Sequence, residues 1–338
     1  MPRICIFPPA LNTGGVSSFQ AKLTAGLQRR GFQVTASLQD SPDAVLLTST
    51  TRQIPALLAL RRRGVPIVQR LDGINWLHRR LPTGLRHFLR AEYGNRLLAL
   101  LRLRFVTGIV YQSDFVREWW TRQFGPGRAP STVIHNGVDL SVYTPDGAQE
   151  RPTGRFRLLL VEGSLQGGYE TGLATALNLA AELNKKFPVE LQVAGRVSPQ
   201  VQAAARAKSR VPISWAGLVP REAIPALDRS AHLLYSADLN AACPNAVIEA
   251  MACGLPVIGF ATGALPELVT ADAGCLVPYG GDPWRLDPPA VSTLAEAAAP
   301  LLLDPSRYRL AARARAEAAF GLDLMLDRYL EALGLGLK

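Results

Sequence analysis

Short apolar runs alternate with longer amphipathic stretches along most of the chain, and the two periods predict two kinds of element. Runs rich in Val, Ile and Leu at 4–7, 32–37, 44–48, 66–69, 108–111 and 132–135 read as buried strands. Between them, 16–30, 54–63, 85–103 and 114–124 place apolar residues three and four apart, as a helix with one buried face requires. A strand–helix–strand rhythm implies a parallel sheet covered on both faces. Residues 139–155 interrupt it with a polar, turn-rich stretch, and then the same alternation resumes. Strands are expected at 156–161, 189–193, 213–216, 233–235, 257–260 and 275–277, with helices at 169–186, 199–209, 221–229 and 245–253. The tail from 291 onward is helical in pattern and divided at Gly321. The expected architecture is therefore α/β, with two Rossmann-like doubly wound domains. Residues 1–145 form the first, 146–155 a linker, 156–315 the second, and 316–338 a terminal helix.

Composition narrows this picture. The 338 residues are 48% apolar, enough for a buried core in each of two domains. No uninterrupted apolar run reaches about 18 residues, and Met1-Pro2-Arg3-Ile4-Cys5 leads into a strand without the layout of a signal peptide. A soluble cytoplasmic protein is the expectation. Cys5, Cys243, Cys253 and Cys275 lie far apart or in apolar contexts, which favours free thiols over disulfides or zinc. The formal net charge of +10 is carried largely by arginine. It is dense at Arg61 to Arg63, at Arg79 and Arg80, and at Arg86, Arg90, Arg96, Arg102 and Arg104. The basic, amphipathic stretch 79–104 has two readings: a solvated face, or a peripheral contact with anionic lipid at the inner face of the membrane. No zinc-finger spacing or aromatic RNA-binding motif accompanies the charge, so nucleic acid is not an expected partner.

The most informative chemistry lies between Cys243 and Val269. Pro244 suits a first helical position, Gly254 a helix end, and Pro256 releases the chain into the strand at 257–260. A helix start leaves backbone N–H groups without intrahelical partners and carries roughly half a positive charge. Cys243, Pro244, Asn245 and Ala246 can thus receive a diphosphate. Glu249, further along the same helix, suits sugar or ribose hydroxyls.

These residues resemble the donor-site signature of family 4 retaining glycosyltransferases, in its Cys243-Pro244-Asn245 variant. Glu249 matches the second glutamate of that signature, and Ala241 stands where the first is usual, with Asp238 the nearest acid. The resemblance implies a GT-B fold: two facing Rossmann-like domains, an N-terminal acceptor domain, a C-terminal donor domain, and a last helix returning to the first domain. It implies transfer of a sugar, with retention, from a UDP- or GDP-linked donor to a hydroxyl of a glycan, lipid-linked or small-molecule acceptor, with no cofactor. Asp-any-Asp pairs, which hold a divalent ion in metal-dependent transfer, are absent from the sequence.

The remaining motifs fit this frame. Gly14 and Gly15 follow the first strand, where the family has a glycine loop facing the donor diphosphate. Asp72 and His78, in the polar stretch 70–78 past the fourth strand, are candidates for handling the acceptor hydroxyl. Ser113 is expected to cap a helix, Asn136 to cap the turn Asn136-Gly137-Val138-Asp139, and Gly137 to supply an unusual backbone conformation. Ser164 and Tyr169 occupy places where the family carries an arginine and a lysine on the leaving diphosphate, and Arg196 is the candidate replacement cation. Leu218, in the turn 215–220, marks where backbone groups hold the nucleobase. The alternative expectation is a glycosyltransferase-shaped nucleotide-sugar-binding or regulatory protein without turnover.

Overall fold

The computed structural model describes residues 1–10, 14–148, 151–165 and 170–336. The chain divides into two compact units, Met1–Gly137 with Leu322–Lys338, and Val138–Gly321. Among the described residues each unit is built on a six-stranded parallel sheet.

In the first unit, strands β1 (Arg3–Phe7), β2 (Gln33–Thr35), β3 (Ala44–Leu47), β4 (Ile67–Leu71), β5 (Gly108–Tyr111) and β6 (Ser131–Val133) lie in the order β2-β1-β3-β4-β5-β6. The chain steps from β1 to one side and then the other, so the sheet has its topological switch point between β1 and β3. The run expected at 32–37 contributes a strand of only three residues at the sheet edge, since its side chains are half-exposed and nothing pairs beyond it. Helices α1 (Gly15–Arg29), α2 (Ile54–Arg62), α3 (Leu85–Arg104) and α4 (Asp114–Phe124) connect the strands. Ser113 caps α4, its hydroxyl accepting from Val116 N–H at 3.2 Å.

The second unit repeats the plan. Strands β7 (Phe156–Ser164), β8 (Val189–Arg196), β9 (Ile213–Gly217), β10 (Leu233–Tyr235), β11 (Val257–Phe260) and β12 (Gly274–Val277) take the order β12-β11-β10-β7-β8-β9, with the switch point between β7 and β10. Helices α5 (Glu170–Leu183), α6 (Pro199–Lys208), α7 (Ile224–Arg229), α8 (Asn245–Ala252) and α9 (Leu265–Leu268) follow the strands. The helix expected at 221–229 begins as a 3-10 turn, Arg221–Ala223, because Pro225 leaves no N–H for an earlier α-helical bond. The stretch expected to link the domains includes residues 149 and 150, which lie outside the described residues. Around them, Arg151 donates to the Arg229 carbonyl at 2.9 Å and Arg229 donates to the Thr144 carbonyl at 3.1 Å, binding this stretch to the end of α7.

The tail holds three helices: α10 (Val291–Leu303), α11 (Pro305–Ala319) and α12 (Leu322–Ala332). Pro305 starts α11 and makes a break beyond the one at Gly321. The last helix belongs to the first unit. Leu322, Met325, Leu326, Tyr329 and Leu330 enter its core beside Phe19, Leu23 and Leu27 of α1. Arg30 reinforces the packing through Asp323 and Asp327, at 2.8 and 2.5 Å. Gly26 and Gly137 are the close-approach points. A Cβ on Gly137 would lie 3.0 Å from the Leu322 backbone, so this glycine is required by the passing helix and not by an unusual φ.

Candidate functional site

In the second unit the carboxyl ends of the strands collect most of the expected donor residues. The loop after β10 leads to α8, whose first residue is Asn245. Pro244 sits one position earlier than expected, as the extended N-cap residue, and makes no side-chain cap. The Asn245, Ala246 and Val247 N–H groups therefore begin the helix without side-chain or intrahelical acceptors. Pro244, Asn245 and Ala246 are half-buried, while Cys243 behind them is buried.

Gly263 fixes the loop that precedes α8. It lies at φ +59°, and a Cβ there would come within 2.5 Å of Ala241 N and 2.7 Å of Ala241 O. Ala264 N–H donates to the same Ala241 carbonyl at 2.9 Å. Two loops are thus held backbone to backbone, and the main chain at 241 is locked. Beside it Asn240 takes a left-handed φ of 57°, and its buried amide nitrogen has no hydrogen-bond partner.

Glu249 is on the inner side of α8 and 8% exposed. Around it stand Asp228 at the end of α7, Tyr143, and Cys253 one turn on. Burial, then the charge of Glu249, push the Asp228 carboxyl well above its ordinary range; Arg229 and a hydrogen bond from Cys253 oppose this. Burial first, with Glu249 next for Tyr143 and Asp228 next for Cys253, raises both of those groups as well.

Strands β7 and β8 run further than expected, and that extension brings Ser164 opposite Arg196. The register shifts between Val161 and Ser164, and Leu165 N–H closes the end of the pair on the Arg196 carbonyl at 3.0 Å. Arg196 is exposed. Tyr169 lies outside the described residues. Leu218 is exposed just past β9, after Gly217 at φ 65°.

Two acids that the sequence left without a role meet at the switch point. Burial, then the neighbouring Asp238, push Glu162 up to about 8, and burial pushes Asp238 up to about 6. Both values lie above those of an unfolded chain, so the folded state holds these protons more tightly. No stability is lost at low pH, where both states are protonated. As pH rises from about 4.5 to about 8 the unfolded chain ionises first and the second unit loses stability. Glu162→Gln is expected to add on the order of a few kcal/mol at pH 8 and almost nothing at pH 4.5. Thermal unfolding of both proteins at the two pH values checks this; equal differences at both would refute it. Among the described residues, no three His, Cys, Asp or Glu side chains group as a metal site would need.

In the first unit, Gly14 is the N-cap of α1 at φ 150°, with open space where a side chain would stand at both Gly14 and Gly15. Residues 11–13 before them lie outside the described set. Gln20 fastens the nearby end of β1, donating to Pro8 O at 2.8 Å and Thr48 Oγ1 at 2.6 Å.

Asp72 and His78 are placed in separate networks. The Asp72 carboxylate accepts from Arg70 and Gln112. Gln112 in turn accepts from Asn136 Nδ2 at 3.2 Å, and Asn136 Oδ1 accepts from Arg70 Nη2 at 3.0 Å. These four side chains close a ring over the ends of β4 and β5. Asn136 is a member of that ring, where a turn cap was expected. Arg70 is buried and also lies 3.9 Å from the centre of the Phe19 ring. Burial raises Asp72 above its ordinary value against the pull of Arg70 and Gln112. His78 is buried too, on a 3-10 turn Leu77–Arg79, with Nε2 2.9 Å from Glu92 Oε1. Sequence periodicity gave no sign of either network, because each joins residues from different elements.

Residues 36–142 match the model for Glycosyltransferase Family 4, and residues 157–304 match that for Glycosyl transferases group 1. The two halves of the chain are glycosyltransferase domains of these families. No curated protein matches the sequence. Among solved structures, a glycosyltransferase from Rickettsia africae aligns with a TM-score of 0.71 at 16% identity, over 98% of this chain and 97% of its own. Anabaena Alr3699/HepE in complex with UDP-glucose aligns with a TM-score of 0.71 at 17% identity, over 98% and 99%. WaaG, a glycosyltransferase involved in lipopolysaccharide biosynthesis, aligns with a TM-score of 0.70 at 14% identity, over 98% and 100%. At such identities the likeness is one of fold, and that fold is GT-B.

Proposed function

We propose that this glycosyltransferase moves a sugar, with retention and without a metal, from a UDP- or GDP-linked donor to an acceptor hydroxyl. The observation that carries the reading is the uncapped start of α8 beside a locked loop, with Glu249 on the same helix. Free N–H groups and the helix dipole favour a diphosphate at Cys243 to Ala246. Glu249, in this reading, accepts hydrogen bonds from the ribose hydroxyls. Gly14 and Gly15 approach the phosphates, Leu218 marks the nucleobase position, and Arg196 beside Ser164 is the cation on the leaving group. Asp72, held by Arg70 and Gln112, is assigned to the acceptor hydroxyl with His78. The Alr3699/HepE complex with UDP-glucose supports a nucleotide-sugar donor for this fold.

Turnover of a panel of nucleotide sugars, with water or a supplied alcohol as acceptor, is the test. One UDP- or GDP-sugar is expected to be consumed, the product to keep the donor's anomeric configuration by NMR, and EDTA to leave the rate unchanged. If no nucleotide raises Tm at millimolar concentration, the donor site is refuted. Ser164 and Ala241, in places where charged groups are usual, favour a second reading, a nucleotide-sugar-binding or regulatory protein. Tight binding without consumption of any donor would select it.

A further inference from the structure

Helix α3 does not keep its apolar residues to the buried side. Toward the protein it buries Asn95 and Arg102 beside Ala99 and Leu101, and toward solvent it presents Leu85, Leu89, Tyr93 and Leu100, which are 74%, 59%, 52% and 45% exposed. Specific partners hold both polar side chains, while Arg102 Nε has no hydrogen-bond partner. Asn95 exchanges two hydrogen bonds with the Asn75 backbone, at 2.8 and 3.1 Å, and Arg102 donates to Tyr111 Oη at 3.0 Å and to the Phe124 carbonyl at 3.3 Å. The exposed apolar residues recur at intervals that are multiples of about one or two turns, so they form one stripe along the helix. Arg96 lies within that stripe, and exposed Arg86, Arg90 and Arg104 run along its border. The single acid of α3, Glu92, is turned inward, accepting from Arg79 at 2.5 and 3.0 Å and paired with His78. The outward stripe is therefore both apolar and uniformly positive.

We propose that this stripe docks on an anionic lipid bilayer. Leu85, Leu89, Tyr93 and Leu100 would enter the boundary between headgroups and acyl chains, while the arginines would meet lipid phosphates. The leucines decide between partners of equal charge. A polyanion in water would pair with the arginines and leave the apolar stripe wet, whereas a bilayer buries one and pairs the other. A second copy of this face would bring arginines against arginines. Among the described residues no helix is long and apolar enough to cross a membrane, so the contact is peripheral. This inference concerns where the protein works and stands apart from the proposed reaction.

Flotation of the full chain with vesicles tests it, using phosphatidylcholine alone against phosphatidylcholine with phosphatidylglycerol. The protein is expected to float with the anionic vesicles only. Leu85→Ser with Leu89→Ser is expected to lower the partition coefficient more than about tenfold at unchanged Tm, since both side chains are exposed. Arg86→Gln with Arg90→Gln is expected to lower it by about tenfold or more and to weaken its salt dependence. The proposal is overturned if the wild type fails to float. It is equally overturned if the leucine variant floats as well as the wild type while heparin strips both, which would make the stripe a polyanion site.

Discussion

Replacing Glu249 with Gln is expected to weaken binding of the nucleoside diphosphate by about 10- to 100-fold, while Tm stays level or rises. The loss follows from the acceptor that ribose would need, because a neutral amide makes weaker bonds to hydroxyl groups than a carboxylate does and presents only one acceptor oxygen. The stability gain has a separate origin. Asp228 is buried and its carboxyl is held above its ordinary range partly by the charge of Glu249. A buried acid with a raised value costs stability at every pH above its unfolded value. Removing the neighbouring charge lowers that cost at neutral pH. Calorimetric titration of UDP and GDP, with a thermal scan of the same samples, separates the two effects. Unchanged affinity would remove Glu249 from the donor site. Lost affinity with a collapsed Tm would make it a core residue only.

Gly195→Ala is expected to destabilise the second unit by at least about 3 kcal/mol. Gly195 lies at φ 141°, and a Cβ there would sit 2.0 Å from the Glu162 carbonyl oxygen and 3.1 Å from its carbon. Both atoms are main chain, so no rotamer relieves the conflict. Either β8 or β7 must move, and the register that sets Ser164 against Arg196 goes with it. Calorimetry should show the transition of the second unit shifted down while that of the first stays in place. If a fraction remains folded, its nucleotide affinity should fall as well, since the strand ends carry the proposed leaving-group cation. A wild-type melting profile would show that the strand ends yield more easily than their geometry implies.

The alternation of apolar strands and amphipathic helices revealed both sheets, because buried parallel strands have to be nearly continuous in Val, Ile and Leu. Segment 245–253 could be read for the same reason: Pro244, Gly254 and Pro256 act on the backbone locally, and their effect does not wait on distant partners. The opposite holds for Gly137. Its need is the passage of α12, residues 322–332, which no local pattern around 137 reveals. Asn136 illustrates the same limit, since its amide serves Arg70 on β4 and Gln112 just past β5. Glu162 and Asp238 were visible only as two acids in separate turns. Their meeting depends on the order β10-β7, which spacing along the chain does not encode. For α3 the helix was legible, but not which side faces out. Apolar positions on an amphipathic helix normally point inward, and here Asn95 and Arg102 join Ala99 and Leu101 there while Leu85, Leu89 and Leu100 face out.

The assignment of α12 to the first unit has a consequence for how the protein is made. Phe19, Leu23 and Leu27 are synthesised before the second unit, but Leu326, Tyr329 and Leu330, which share a core with them, follow it. The first unit is thus begun before the second and completed after it. While residues 138–321 are being made it carries an open apolar seam on α1, whereas the second unit can close upon itself. The nascent chain therefore has a built-in interval of vulnerability, set by the distance in sequence between α1 and α12, during which a chaperone has a defined surface to cover.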